Sequence, residues 1–195
     1  MSAGSMVLKM VDAMNPETVK LKDGREVLIR NAQPGDGRLV HEYLRVLGAS
    51  TPYILTFPGD IGTPEHYESR VSKVDEDMFY SMSAIDLDTG RIVGNTSFSF
   101  AQRVKLSHAA GLGTGVLPDW QGIGLGSWML KRAIGDMRTN PKIHRLELTV
   151  MDGNDHAQGM YERAGFVVEG RKLKSIRQPD GSFRDEILMG MWIGD

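Results

Sequence analysis

Val116-Leu117-Pro118-Asp119-Trp120-Gln121-Gly122-Ile123-Gly124-Leu125-Gly126-Ser127-Trp128-Met129-Leu130 reads as a strand end, a glycine-rich turn and the start of an amphipathic helix. Its physical meaning is anion capture. With no side chains at Gly122, Gly124 and Gly126, several backbone N–H groups can approach a phosphate at the positive end of the helix. A flexible turn with a glycine-rich cap explains the bare triplet equally well. A nucleoside-triphosphate loop would end in Gly-Lys-Ser/Thr, whereas Gly126 is followed by Ser127 and Trp128. A dinucleotide fingerprint would space its glycines as G-x-G-x-x-G near the start of a βαβ unit. Here the third glycine comes one residue early, after four preceding strands.

Outward from this stretch, helices and strands alternate irregularly. Arg25 to Asn31 reads as an opening strand, ended by Pro34-Gly35-Asp36, with Asp36 a candidate N-cap. Leu39, Val40, Tyr43, Leu44 and Leu47 recur at helical spacing, and Gly48 is expected to close that helix. Thr63-Pro64-Glu65 is a helix start for a segment running to about Val74. Met78 to Ile85 and Arg91 to Phe100 flank Asp88-Thr89-Gly90 as a hairpin, and His108 to Leu117 is a Gly-interrupted strand. Leu125, Trp128, Met129, Ala133 and Met137 mark a third helix, which Asn140-Pro141 ends. A strand over His144 to Met151 precedes a short helix from Asn154 to Gly165. Strands over Phe166 to Ile176 and Arg184 to Trp192 complete the chain. The order predicts an α+β (mixed α/β) fold with about seven strands and four helices, and one parallel crossover around the glycine loop.

Composition narrows the class. The 195 residues suit one domain, and a net charge of −2 argues against a nucleic-acid partner. With no cysteine, a disulfide framework, a zinc ribbon and a cysteine nucleophile are all excluded. No apolar run reaches the roughly 18 residues that span a bilayer, and no signal core is recognisable, so the expected location is the cytoplasm with no membrane partner. Met1 to Ser5 is small and polar ahead of a second methionine, Met6, and reads as an expression remnant. His41-Glu42-Tyr43-Leu44-Arg45 opens like a zinc-protease helix, but Arg45 stands where the second histidine would be, so no metal is expected.

Gln121-x-x-Gly124-x-Gly126 resembles the Q/R-x-x-G-x-G/A pyrophosphate loop of the GNAT superfamily of acyl-CoA N-acetyltransferases. Leu146-Glu147-Leu148-Thr149-Val150, followed by Asn154-x-x-Ala157-x-x-Met160-Tyr161-Glu162-Arg163-Ala164-Gly165-Phe166, resembles that superfamily's fifth strand and fourth helix. The similarity runs over 25–192 in element order and is sharpest from Val116 to Phe166, closest in look to bacterial amino-acid and small-amine N-acetyltransferases. It implies a GNAT-like fold around a central, mostly antiparallel sheet. Acetyl-CoA would be the cosubstrate, held by backbone at Gln121, Gly122, Ile123, Gly124, Leu125, Gly126 and Ser127. The strand end near Val116 would pair its N–H and C=O with the pantetheine arm. By the same resemblance Asn154 contacts the cofactor arm and Tyr161 protonates the departing thiolate. Asn154 is also explained as a helix N-cap, and Tyr161 as a core tyrosine.

An alkylammonium must lose a proton before it can attack a thioester, so a base or a water relay is required. Several members carry a glutamate on the fourth strand, yet Ser107 to Leu117 holds no carboxylate. Glu147, His108 and ordered water remain the candidates. Without cysteine, direct transfer in a ternary complex is expected. The acceptor is expected to be a small-molecule primary amine such as an amino acid, its cleft walled by Ser50 to Gly62 and Lys174 to Arg184, where Tyr53, Phe57 and Asp60 could shape it. The basic run Arg171, Lys172, Lys174 and Arg177 would suit a carboxylate-bearing acceptor or a solvated strand face. A protein N-terminus or lysine as acceptor, and a noncatalytic acyl-CoA sensor, are the alternatives. Dimerisation is common in the superfamily, and strands near Trp192 could supply a homodimer interface.

Overall fold

The computed structural model describes residues 14–72 and 79–194, the side chain of Phe79 excepted. Met1 to Ser5, the expected helix end near Val74, Asp75-Glu76-Asp77 and Met78 lie outside the described residues. Eight strands form one sheet: β1 (Glu17–Lys20), β2 (Glu26–Asn31), β3 (Phe79–Asp86), β4 (Ile92–Phe100), β5 (Ala109–Val116), β6 (Arg145–Met151), β7 (Val167–Arg177) and β8 (Phe183–Trp192). Four helices accompany them: α1 (Gly37–Ser50), α2 (Pro64–Val71), α3 (Leu125–Arg138) and α4 (Asp155–Ala164). The spatial order is β1-β2-β3-β4-β5-β6-β8-β7. Among the described residues β5 and β6 are the one parallel pair; the remaining neighbours are antiparallel. No described helix is long and apolar enough to cross a membrane.

The larger core lies between the sheet and α3 with α4. Leu125, Met129, Leu130, Ala133, Ile134 and Met137 form one buried stripe on α3; of the positions marked by the helical spacing in the sequence, Trp128 is only partly buried, while Leu130 and Ile134 join the stripe. They pack on Val27, Ile29, Met82, Phe98, Ala110, Leu146 and Leu148 of the strands. Each large side chain in such a core contributes about 1.5–3 kcal/mol. On the opposite face α1 sets Tyr43 and Leu47 against Ile85 and Ile92.

Three local expectations are corrected. Helix α1 does not close at Gly48 but runs to Ser50, because Gly48 does not enter the left-handed region that a glycine stop uses. Asp36 occupies the N-cap position of α1 without capping it. Its carboxylate accepts instead from Arg30 Nη1 and Nη2, at 2.5 and 2.8 Å, and from the Gln33 N–H. Glu68 of α2 takes over, accepting from the Gly35 and Gly37 amides at 2.7 and 2.9 Å. The eighth strand is β1, whose ETVK alternates half-buried and exposed positions with a single apolar residue, too weak a pattern to announce itself. The other caps form as expected. Thr63 Oγ1 accepts from the His66 N–H, and Gly165 ends α4 in the left-handed region at φ +106°.

Candidate active site

The sheet splits at β5. Strand β5 is paired with β4 over all but its first residue, from Ala110 opposite Phe100 to Val116 opposite Gly94. With β6 it is paired only over Ala109, Gly111 and the residue between, opposite Arg145 to Glu147. Beyond that point β5 follows β4, while β6 stays paired with β8 through Met151. The edge of β5 from Leu112 to Val116 is therefore left without a strand partner, and an exposed strand edge is a template for any ligand that carries amides.

At the open end of this splay the chain turns through the glycine loop. Gly122 and Gly124 adopt φ +74° and +94°, where a side chain would be strained. Gly124 is also the N-cap of α3 and brings no side chain to the helix end. The first amides of α3, which have no intrahelical acceptor, are thus available to an anion. Gln121 ties the loop back to the strand end, its Nε2 donating to the Val116 carbonyl at 2.8 Å. That bond occupies the carbonyl expected to face the pantetheine arm, although one lone pair remains. Leu125 is fully buried and points into the core, so only its backbone can serve a ligand.

A cavity of about 550 Å³ unites these parts with α4 and the loop after α1. Val116, Gln121, Gly122, Gly124, Gly126 and Ser127 form one wall, Asn154, Ala157, Met160 and Tyr161 another, and Tyr53 a third. Ile123 lies in the same turn without lining the cavity. Asn154 accepts from the Ala157 N–H at 3.3 Å, so it caps α4 while also facing the cavity. Tyr161 is 7% exposed, its ring edge-on to Phe166. Burial pushes its phenol up to about 12. No described residue hydrogen-bonds its hydroxyl, and no side-chain oxygen in the described structure is sealed from solvent without a partner, so the hydroxyl opens onto the cavity.

Other candidates lie elsewhere. Glu147 projects from the opposite face of β6 to Leu146 and Leu148, into a second cavity of about 680 Å³ shared with Ser97, Ser99, Gly111, Gly113 and Thr149. Its carboxylate accepts from Arg145 Nε at 3.4 Å, while Arg145 pairs in two-pronged fashion with Glu169. The two cavities follow one another along β5, Gly111 to Gly113 in the second and Thr114 to Val116 in the first. His108 stands at the other end of β5, eight residues and roughly 26 Å of strand from Val116. There its carbonyl accepts from the His144 and Arg145 amides, and its ring lies 6.4 Å from Trp192. Phe57 is half exposed and lines neither cavity. Tyr53 sits beneath the Arg184 guanidinium at 5.2 Å. Half of the basic run is neutralised within the fold: Arg171 pairs with Asp152 and Asp185, and Lys172 with Glu186. Sequence reading missed Lys22, His156 and Arg163, which also line the first cavity. His156 was legible as the second residue past the Asn154 cap. Lys22, a hundred residues upstream of the loop, carried no local signal.

The sequence pattern of the acetyltransferase (GNAT) family matches residues 52–166. L-amino acid N-acetyltransferase AaaT of Escherichia coli (strain K12) is 32% identical over 100 residues, 51% of this chain and 61% of that relative, so the match spans about three-fifths of the relative's length. Among solved structures, an acetyltransferase of GNAT family from Streptococcus pneumoniae superposes with a TM-score of 0.80 and 28% identity over 86% of this chain and 99% of the other. The putative acetyltransferase yncA from Salmonella typhimurium, solved with acetyl-CoA, superposes with a TM-score of 0.75 at 18% identity, over 87% and 95% of the chains. With a family match over more than half its length, a splayed β5 and β6, and the glycine loop at the head of α3, the chain belongs to the GNAT family of acetyltransferases.

Proposed function

We propose that this chain moves an acetyl group from acetyl-CoA to the primary amine of a small molecule, with amino acids as the first class to test. The observation that carries the reading is that one cavity brings together the glycine loop, the free edge of β5 and the Tyr161 hydroxyl, which has no hydrogen-bond partner among the described residues. The residues present fit the coenzyme. Gly122 and Gly124 hold left-handed turns, the first amides of α3 can take phosphate, and the β5 edge offers N–H and C=O groups to an amide-bearing arm. When bound, acetyl-CoA supplies an activated acyl group and a thiolate leaving group. A β5 amide can hold the acyl oxygen as it gains charge.

Tyr161 keeps its proton at neutral pH because burial disfavours the phenolate. With the coenzyme bound, the Tyr161 Oη would give a proton to sulfur as the carbon–sulfur bond breaks, and the proton released by the newly acylated nitrogen would restore the phenol, so that no buried phenolate accumulates. No carboxylate lines the first cavity among the described residues. Glu147, in the adjoining cavity, is the carboxylate we assign to the acceptor's ammonium, directly or through water. A cysteine-free chain has no thiol to carry the acyl group, which favours direct transfer. The amino-acid class rests on the match to AaaT, a relative named for its action on L-amino acids.

Thiol release from acetyl-CoA across a panel of L-amino acids, polyamines and short peptides tests this reading. Turnover with one or more free amino acids is expected. Turnover with peptides alone would move the acceptor to protein, and no turnover with any amine would leave a binding protein without chemistry.

A further inference from the structure

The turn joining β1 to β2 is docked on the glycine loop rather than free in solvent. The Lys22 N–H donates to the Ile123 carbonyl at 3.4 Å, and Arg25 Nη2 donates to the Asp119 carbonyl at 2.7 Å. The Arg25 guanidinium lies 4.0 Å over the Trp120 ring, a contact that fixes the turn while leaving its charge partly solvated. These contacts bring the stem of Lys22 across the N-cap of α3. A Cβ at Gly124 would stand 3.4, 3.7 and 3.8 Å from Lys22 Cε, Cδ and Cγ, ordinary van der Waals distances. Lys22 thereby joins Gln121, Gly122, Gly126 and Ser127 in the wall of the 550 Å³ cavity.

Its charge is unspent. Asp23, the adjacent carboxylate, is held by Arg25 Nε at 2.7 Å. Among the described residues Lys22 has no ion-pair partner, whereas Arg25, Arg30, Arg132, Arg145, Arg171 and Lys172 each have one. The helix terminus beside it supplies only about half a unit of positive charge. A diphosphate diester is a dianion, so amides and dipole alone leave it under-neutralised. A compact ammonium on a flexible stem can supply the missing charge without needing a bidentate geometry.

We infer that Lys22 is a phosphate-binding residue, its ammonium pairing with the diphosphate of the coenzyme held on the α3 terminus; this rests on the acetyl-CoA reading above. The β1–β2 turn, which lies outside the residues matched by the family pattern, is then part of the ligand site.

Titration calorimetry with CoA, dephospho-CoA and pantetheine, on wild-type protein, Lys22→Met and Lys22→Arg, tests the assignment. Lys22→Met keeps the stem and removes the charge. It is expected to weaken CoA and dephospho-CoA by the same factor, roughly fivefold at low salt. That factor should shrink as salt screens the pair, with pantetheine unaffected and the unliganded melting temperature unchanged. Lys22→Arg should keep most of the affinity. Equal affinities for Lys22→Met and wild type would overturn the assignment, and so would a loss seen with CoA but not with dephospho-CoA, which would put the contact on the 3′-phosphate. If wild-type protein binds none of the three ligands, the acetyltransferase reading itself falls and takes this one with it.

Discussion

Tyr161 carries two separable properties, a ring that packs and a hydroxyl that does not. The ring is buried against Phe166, while no described residue bonds the hydroxyl. Tyr161→Phe therefore removes no intramolecular hydrogen bond, and its cost in folding stability is expected to stay below about 1 kcal/mol in urea melts. If the hydroxyl delivers the proton to sulfur, the same variant should lose turnover by roughly 10²-fold or more, with the KM for acetyl-CoA nearly unchanged. Equal turnover would return the residue to packing alone. The phenol also predicts alkaline behaviour. Its pKa rises from 10.0 to about 12 on folding, so the stabilising difference is complete below pH 10 and is lost as pH climbs through 12. Over that window wild-type protein should lose about 2–3 kcal/mol more than Tyr161→Phe. Burial raises Tyr43 and Tyr80 as well, which steepens the loss common to both proteins.

At the scale of elements, β5 is defined by what its neighbours do not fill. Gly115 faces α1, and a Cβ there would sit 2.7 Å from both the Tyr43 hydroxyl and Leu47 Cδ2. Gly115→Ala must displace the Tyr43 hydroxyl and the Leu47 methyl, and because both side chains are buried a destabilisation of about 1–3 kcal/mol is expected by chemical denaturation. An unchanged melt would show that the two side chains yield freely. Elements whose signal is local were legible in the sequence. The strand, loop and helix around Gln121 and the Asn154 helix are each written within about fifteen residues, with caps and apolar spacing in agreement. What escaped was set across the fold. The α1 cap comes from Glu68 rather than Asp36, and β1 exists only because β2 offers it an edge. The basic run on β7 meets its carboxylates on β8 and after β6, which no local pattern reveals. Gln121 was legible as part of the loop, but its bond to Val116 required the turn geometry.

For the whole molecule, the decisive property is a sheet in two halves. Strands β1 to β5 form one and β6, β8 and β7 the other, joined by the short parallel pairing at Ala109 to Gly111. The two strands that border the gap are each paired without a break to their other neighbour, β5 to β4 and β6 to β8, so the gap is built into the topology and does not depend on a ligand to hold it open. The two cavities along β5 give that gap two approaches, one lined by backbone suited to phosphate and amides, the other by Glu147 and Glu169 among small polar side chains and the cations Arg70, Arg145 and Lys172. On the reading proposed above, the first approach takes the coenzyme. Calorimetric titration of the full chain with CoA tests this most directly. A saturable one-to-one isotherm at micromolar ligand, with a matching rise in melting temperature, is the predicted result. No heat and no thermal shift at millimolar CoA would contradict it.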